Sequence, residues 1–460
     1  MQEPVKKANN KLLSIESKKI IIAIFFALIA FFLANQIFDL TQSFLVASIV
    51  LLVILWTNEG LHLGVVSLLP IVLFPSLGIL TTAEVASNYS KPIIYLFLGG
   101  FLLAIAVEKT NLHKWIADKI LKLFPPTAKG IIFALIITAG LLSAVLSNTT
   151  TTLLLLPIAL YLSEDNRLKM RFALAIAYGA SIGGILTPIG TAPNLIYMGI
   201  MAEHSLEVIS FVNWVLMVSP LVFIMFIVVG TILSVGVKDV EVSTNFDTKA
   251  LTHNQKKVIY VLLGVVALLF ANSPIKPYYN GLGLSEAGIL LGAGLLLFMP
   301  PISILNYDED NSKISYKIMF LFGAGFSIAM AFSKTGMADE MANYLVVLTS
   351  LPGIIFMLVV ATLVTFTTEV TSNTALTSIM LPILYAVTQK VGLDSRLFLM
   401  IATVCASYAF MLPIATPPNA IVMSSNALHV KNMIFYGIIF NTIGIILIVF
   451  IAEFLWKAML

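Results

Sequence analysis

One interrupted apolar pattern occurs twice in this chain at a fixed separation. The first copy runs SAVLSNTTTTLLLLP from Ser143 to Pro157, followed by SIGGILTPIGTAPN from Ser181 to Asn194. The second runs TEVTSNTALTSIMLP from Thr368 to Pro382, followed by ASYAFMLPIATPPN from Ala406 to Asn419. Asn148 and Asn373, Pro157 and Pro382, and Asn194 and Asn419 are each 225 positions apart. Upstream, Phe97, Gly100, Phe101, Lys109 and Thr110 pair with Phe322, Gly325, Phe326, Lys334 and Thr335 at the same offset. The fold must therefore consist of two similar halves, each broken twice at matching places.

The medium for those halves follows from charge. Charged residues are 11% of the chain and hydrophobic ones 59%, whereas soluble domains carry about 25% charged residues. This excludes an ordinary soluble fold and predicts an all-α polytopic membrane protein. The net charge of +3 is too small and dispersed for nucleic-acid binding. With Cys405 as the one cysteine and five scattered histidines, the chain has neither a disulfide framework nor a thiolate metal site. The first apolar run, from near Ile20, lacks a small-residue cleavage signal and is read as a retained helix.

Runs of spanning length predict eleven crossings, near 20–38, 43–58, 61–80, 92–108, 172–202, 208–236, 257–272, 285–302, 317–334, 396–424 and 433–456. The stretches 130–162 and 352–388 are interrupted by SNT and read as re-entrant hairpins. Non-helical backbone at such depth is tolerated only inside protein or beside a wet cavity. With the N-terminus inside, this topology places 20 of the 26 basic residues on the inner side, as the positive-inside rule requires. Five crossings per half make the second half enter with opposite orientation, an inverted repeat. The expected division is 1–42 for the N-terminal segment and first helix, 43–237 for the first repeat, 238–256 for an inner linker and 257–460 for the second repeat. Such repeats are an architecture of secondary transporters, with sites near the midplane.

Ser, Asn and Thr at a hairpin tip supply oxygens for a cation and donors for an anion. The next helix should start near Thr149 or Thr374, aiming its N-terminal N–H groups at the cavity, where they attract carboxylates. In the second element of each half, Pro188 and Pro193 bracket Gly190 and Thr191, and Pro413, Pro417 and Pro418 bracket Ala415 and Thr416. Proline removes an N–H and clashes with the preceding turn, so both helices unwind and free carbonyl oxygens for a cation. A lone SNT or Pro would be explained by helix packing or a kink; recurrence of both at one offset is not. Glu369 is the one acid close to a motif; an intramembrane acid is a functional candidate, the alternative being that it satisfies the hairpin backbone. Glu453 reads as interfacial, and Phe25, Phe26, Phe31 and Phe32 as lipid-facing or packing surface.

The paired SNT motifs with GTAPN and ATPPN resemble the divalent-anion/sodium symporter family, which includes bacterial sodium–dicarboxylate symporters, over essentially the full chain. The resemblance implies a homodimer in the bacterial inner membrane, multi-pass with a cytoplasmic N-terminus, whose transport domains move like an elevator. It implies co-transported sodium ions, no organic cofactor, and a small C4-dicarboxylate such as succinate, malate or fumarate as substrate. Carried over by position, Ser143, Ser147, Asn148 and Gly190 would hold one sodium, and Thr368, Thr371, Asn373 and Ala415 another. Asn148, Thr149, Asn373, Thr374, Thr191, Thr416 and Pro417 would contact substrate. Thr150 stands where the family pattern has alanine, adding a hydroxyl near the anion, and Ala192 where it has proline. A sodium-independent dicarboxylate or tricarboxylate exchanger of the same fold is the alternative. A membrane enzyme is disfavoured, because the chain lacks an HExxH and any serine–base pair.

Overall fold

The computed structural model describes residues 15–58, 60–237, 250–274, 278–341, 343, 352–425 and 427–460. Most of the expected 238–256 linker and the first fourteen residues lie outside that set. Among the described residues there are helices and no β-strand. In chain order they are α1 Ile15–Ala34, α2 Leu40–Asn58, α3 Leu63–Val66, α4 Leu69–Ser76, α5 Thr82–Asn88, α6 Pro92–Lys109 and α7 Leu112–Leu121. There follow α8 Ala128–Ser143, α9 Asn148–Tyr161, α10 Asn166–Gly183, α11 Ala192–Glu203, α12 Phe211–Ser234, α13 His253–Asn272 and α14 Glu286–Leu296. The last are α15 Tyr307–Asp310, α16 Tyr316–Lys334, α17 Gly353–Thr368, α18 Asn373–Val391, α19 Ser395–Ala406, α20 Pro417–Ser424, α21 Val430–Ile451 and, after a π-helical turn, α22 Lys457–Met459.

Each run expected to cross coincides with helix. Among the described residues seven segments are long and apolar enough to span a membrane: Ile15–Ala34, Leu40–Asn58, Thr82–Lys109, Phe211–Ser234, His253–Asn272, Tyr316–Lys334 and Val430–Met459. The other four expected runs, 61–80, 172–202, 285–302 and 396–424, are shorter or broken. Helix ends elsewhere in the chain are locally encoded. Thr81 and Glu84 form a reciprocal capping box, as do Thr252 and Gln255, which satisfies the orphan N–H groups of a first turn. Gly392, at φ 73°, closes α18 in the left-handed conformation that glycine adopts without strain.

Packing divides the helices into an outer group and a group around the tips. In the outer group α1 lies on α2 and α6 on α14; a Cβ at Gly99 would stand 2.3 Å from the Leu290 carbonyl carbon. In the inner group α8 lies on α10, with a Cβ at Gly183 only 2.1 Å from the Gly140 backbone. Small residues permit this approach, and between membrane helices such packing supplies much of the association energy. The inner group also crosses between halves. α9 packs on α20, and α11 packs on α18. Lys91 at the start of α6 joins this group by an ion pair of 2.9 Å to Glu203 at the end of α11. Phe25, Phe26 and Phe32 are exposed on α1, while Phe31 stacks on Phe44. Glu453 pairs with Lys457 at 2.8 Å.

Candidate functional site

Both SNT stretches are helix breaks, and the breaks match. α8 ends at Ser143 and α9 begins at Asn148; α17 ends at Thr368 and α18 begins at Asn373. Each pair packs together across its short link, as a helical hairpin does. The helices start one residue before the expected Thr149 and Thr374, because Ser147 and Ser372 are the N-caps. Ser147 Oγ accepts from the Thr150 backbone N–H at 3.1 Å and donates to Thr150 Oγ1 at 2.9 Å. Ser372 makes no side-chain cap bond.

Inside each hairpin the same contact recurs. Ser143 Oγ donates to Asn148 Oδ1 at 2.6 Å, and Thr368 Oγ1 donates to Asn373 Oδ1 at 2.7 Å. Thr368 Oγ1 also lies 2.8 Å from the Ala406 carbonyl. One hydroxyl proton thus serves three oxygens, two of which can only accept. The asparagines are half-buried, whereas Ser143 and Thr368 are fully buried. Thr371, by contrast, donates to the Thr367 carbonyl at 2.8 Å and is tied back into its own helix.

The broken helices place carbonyls beside these oxygens. Between α10 and α11, a Cβ at Gly190 would stand 2.4 Å from the Gly184 carbonyl oxygen and 3.1 Å from that of Ser143. A Cβ at Gly184 would stand 2.6 Å from Asn148 Oδ1. Ser143, Asn148, Gly184 and Gly190 therefore form one tight, oxygen-rich cluster. Thr187 donates to the Ala144 carbonyl and fastens this loop to the hairpin. Between α19 and α20 the matching loop carries Ala415 and Thr416, both buried; Thr416 Oγ1 caps α20 through the Asn419 N–H at 3.3 Å.

Asn194 and Asn419, noted in the sequence only as motif letters, are the staples of these loops. Asn194 Nδ2 donates to the Thr187 carbonyl at 2.9 Å, and Asn419 Nδ2 donates to those of Ala409 at 2.9 Å and Leu412 at 3.0 Å. Three further residues had no sequence signal. Trp214 Nε1 donates to the Ile185 carbonyl at 3.0 Å, Tyr178 donates to that of Phe410 at 3.0 Å, and Asn441 donates to Glu369 at 2.6 Å. Glu369 resolves differently from the hairpin-backbone alternative: its carboxylate accepts from the N–H groups of Phe410, Met411 and Leu412 in the second unwound loop.

Thr149 and Thr374 stand in the first turns of α9 and α18, and Thr191 caps the position before α11. Among the described residues their hydroxyls make no hydrogen bond, which leaves them free at half-buried helix N-termini. Pro417 opens α20 and is exposed. Among the described residues no three His, Cys, Asp or Glu side chains gather as a metal cluster. The site is built from neutral oxygens, amide donors and helix ends, a set suited to binding and releasing small ions.

The fold is shared with solved membrane transporters. It matches the YdaH transporter of Alcanivorax borkumensis with a TM-score of 0.59, at 14% identity over 81% of this chain and 88% of that one. It matches MtrF of Neisseria gonorrhoeae, described among antimetabolite efflux pumps, with a TM-score of 0.57, at 13% identity over 96% and 95%. A family model described as citrate transporter covers residues 49–397. The sodium-dependent dicarboxylate transporter SdcS of Staphylococcus saprophyticus is 30% identical over 433 residues, 87% of this chain and 83% of that protein. SdcS of Staphylococcus aureus is 30% identical over 444 residues, 88% and 84% respectively. The molecule is a multi-pass membrane transporter, not an enzyme. It belongs to the citrate transporter family, of divalent-anion/sodium symporter type.

Proposed function

We propose that this chain is a sodium-coupled symporter of C4-dicarboxylates such as succinate, malate and fumarate. The observation that carries this reading is the clustering of neutral oxygens at each tip: Ser143 Oγ lies 2.6 Å from Asn148 Oδ1, and Thr368 Oγ1 lies 2.7 Å from Asn373 Oδ1 and 2.8 Å from Ala406 O. Hard cations take oxygen ligands of this kind. The sodium dependence in the names of the relatives supports the same choice.

In this reading Ser143, Ser147, Asn148 and Gly190 hold one sodium and Thr368, Thr371, Asn373 and Ala415 the other. Thr149, Thr191 and Thr374 offer free hydroxyls to the carboxylates, with Asn148, Asn373, Thr416 and Pro417 completing the walls. Neither 130–162 nor 352–388 contains lysine or arginine, so a dianion is balanced by the bound sodium and by helix N-termini worth about half a unit charge each. Repeats 43–237 and 257–460 are of opposite orientation in this proposal. The N-terminus is cytoplasmic in a bacterial inner membrane, and a homodimer carries the hairpins across as an elevator. The test is uptake of labelled succinate into proteoliposomes with and without an inward sodium gradient. Uptake that depends on the gradient is the expected result. Equal uptake without sodium refutes the symport reading and favours exchange.

A further inference from the structure

The two halves share the hydroxyl–asparagine contact inside each hairpin and the asparagine staple of each unwound loop, and among the places where they differ one carries an acid. Glu369 directly follows α17 and is 3% exposed. The residue 225 positions earlier is Ala144. Glu369 Oε1 accepts from Phe410 N at 2.8 Å, Met411 N at 2.9 Å and Asn441 Nδ2 at 2.6 Å, and Oε2 accepts from Leu412 N at 3.0 Å. Every partner is a donor, so both oxygens act as acceptors in these contacts. Among the described residues no lysine, arginine or histidine forms an ion pair with it.

We propose that Glu369 is a positioning residue that makes the second cation site the tighter of the two and the first to fill; this rests on the sodium-coupled reading above. Three successive N–H groups turned to one carboxylate constrain three carbonyls, because the trans peptide points C=O opposite to N–H. Of these, Ala409 O is taken by Asn419 and Phe410 O by Tyr178, so the loop is held in one shape before any ion arrives. In the first half the matching N–H groups close on their own chain instead, Ile185 N on Ile182 O at 3.3 Å and Leu186 N on Gly183 O at 3.0 Å. That loop carries no formal charge. A buried anion needs a compensating cation as well as hydrogen bonds. The cation-suited oxygens of Thr368, Asn373 and Ala406 begin at the residue next to Glu369. In this proposal the carboxylate is ionised, so a sodium bound there is attracted by a charge that a sodium at the Ser143–Asn148 cluster lacks.

The test is a sodium titration of succinate binding to purified protein, with choline holding ionic strength, for wild type, Glu369→Gln, Glu369→Asp, Ser143→Ala and Thr368→Val. Wild type should show two sodium components. Glu369→Gln should weaken the tighter one at least tenfold while succinate affinity at saturating sodium stays within threefold; Glu369→Asp should retain most of it. General damage to the loop would lower both affinities. Thr368→Val should abolish the tighter component and Ser143→Ala the weaker. A monodisperse Glu369→Gln protein with wild-type sodium dependence overturns the proposal. So does loss of the tighter component in Ser143→Ala, which decides the matter if Glu369→Gln does not fold. Wild type without any sodium dependence would instead defeat the symport reading itself.

Discussion

Gly190→Ala is a one-methyl perturbation whose effect can be worked from distances. Its Cβ would lie 2.4 Å from the Gly184 carbonyl oxygen, whereas ordinary contact begins at 3.4 Å. The loop between α10 and α11 must therefore open by about 1 Å, and Ser143 O, at 3.1 Å, gives little room on the other side. Overpacking of this kind costs about 1–3 kcal/mol. Opening the loop shifts Gly190 relative to Ser143, and both are assigned to the first cation. If the cost falls on the ion-binding shape, sodium affinity drops about 5–150-fold. The position 225 residues on is already Ala415, so Ala415→Gly is the control and should change sodium affinity far less. The assay is succinate binding to purified protein at rising sodium, with size-exclusion profiles to verify folding. A well-folded Gly190→Ala protein with unchanged sodium dependence would refute the claim that this loop holds a cation.

Replacing Asn148 or Asn373 with alanine removes an oxygen from a cation and a donor from a carboxylate together. Sodium and succinate affinities should fall in both variants, and linkage requires that each ligand tighten the other by one factor; reciprocal titrations check this. Changing Pro417 and Pro418 to alanine together should slow succinate uptake more than it lowers thermal stability, since the unwound carbonyls would be partly recaptured; normal uptake with normal sodium dependence would remove the loop from the ion site. At the rim, Asp310 is buried and bonded to Lys109 at 2.6 Å and Lys313 at 3.1 Å. Burial pushes its carboxyl up, but the Lys109, Asn306 and Lys313 hydrogen bonds outweigh this and hold it below the usual range. The folded state therefore binds this proton less readily than the unfolded one. Its contribution is present above the ordinary aspartate pKa and lost as pH falls through the depressed value. Asp310→Asn should cost about 2 kcal/mol at neutral pH and flatten the acid limb of a pH–melting curve.

The helix breaks were legible in the sequence because they are local events. Ser147 caps α9 within one turn of itself, Pro193 and Pro417 open α11 and α20, and glycine ends α10. A duplication copies such signals intact, so α8 and α17 end, and α9 and α18 begin, at one offset. Composition likewise determined the medium, since few charges leave lipid as the solvent for so apolar a surface. What each freed group then meets was not written locally. Thr368 finds the carbonyl of Ala406, Trp214 that of Ile185, and Tyr178 that of Phe410, across separations that no periodicity records. The crossing of halves, α9 on α20 and α11 on α18, is of the same kind. Glu369 shows the distinction most clearly. In the sequence it is an acid beside a polar tip, able to serve the hairpin, an ion or water. Only the packing of α17 and α21 against the second broken helix brings Asn441 and three backbone N–H groups to it. A buried charge takes the role its surroundings satisfy, and those surroundings come from distant parts of the chain.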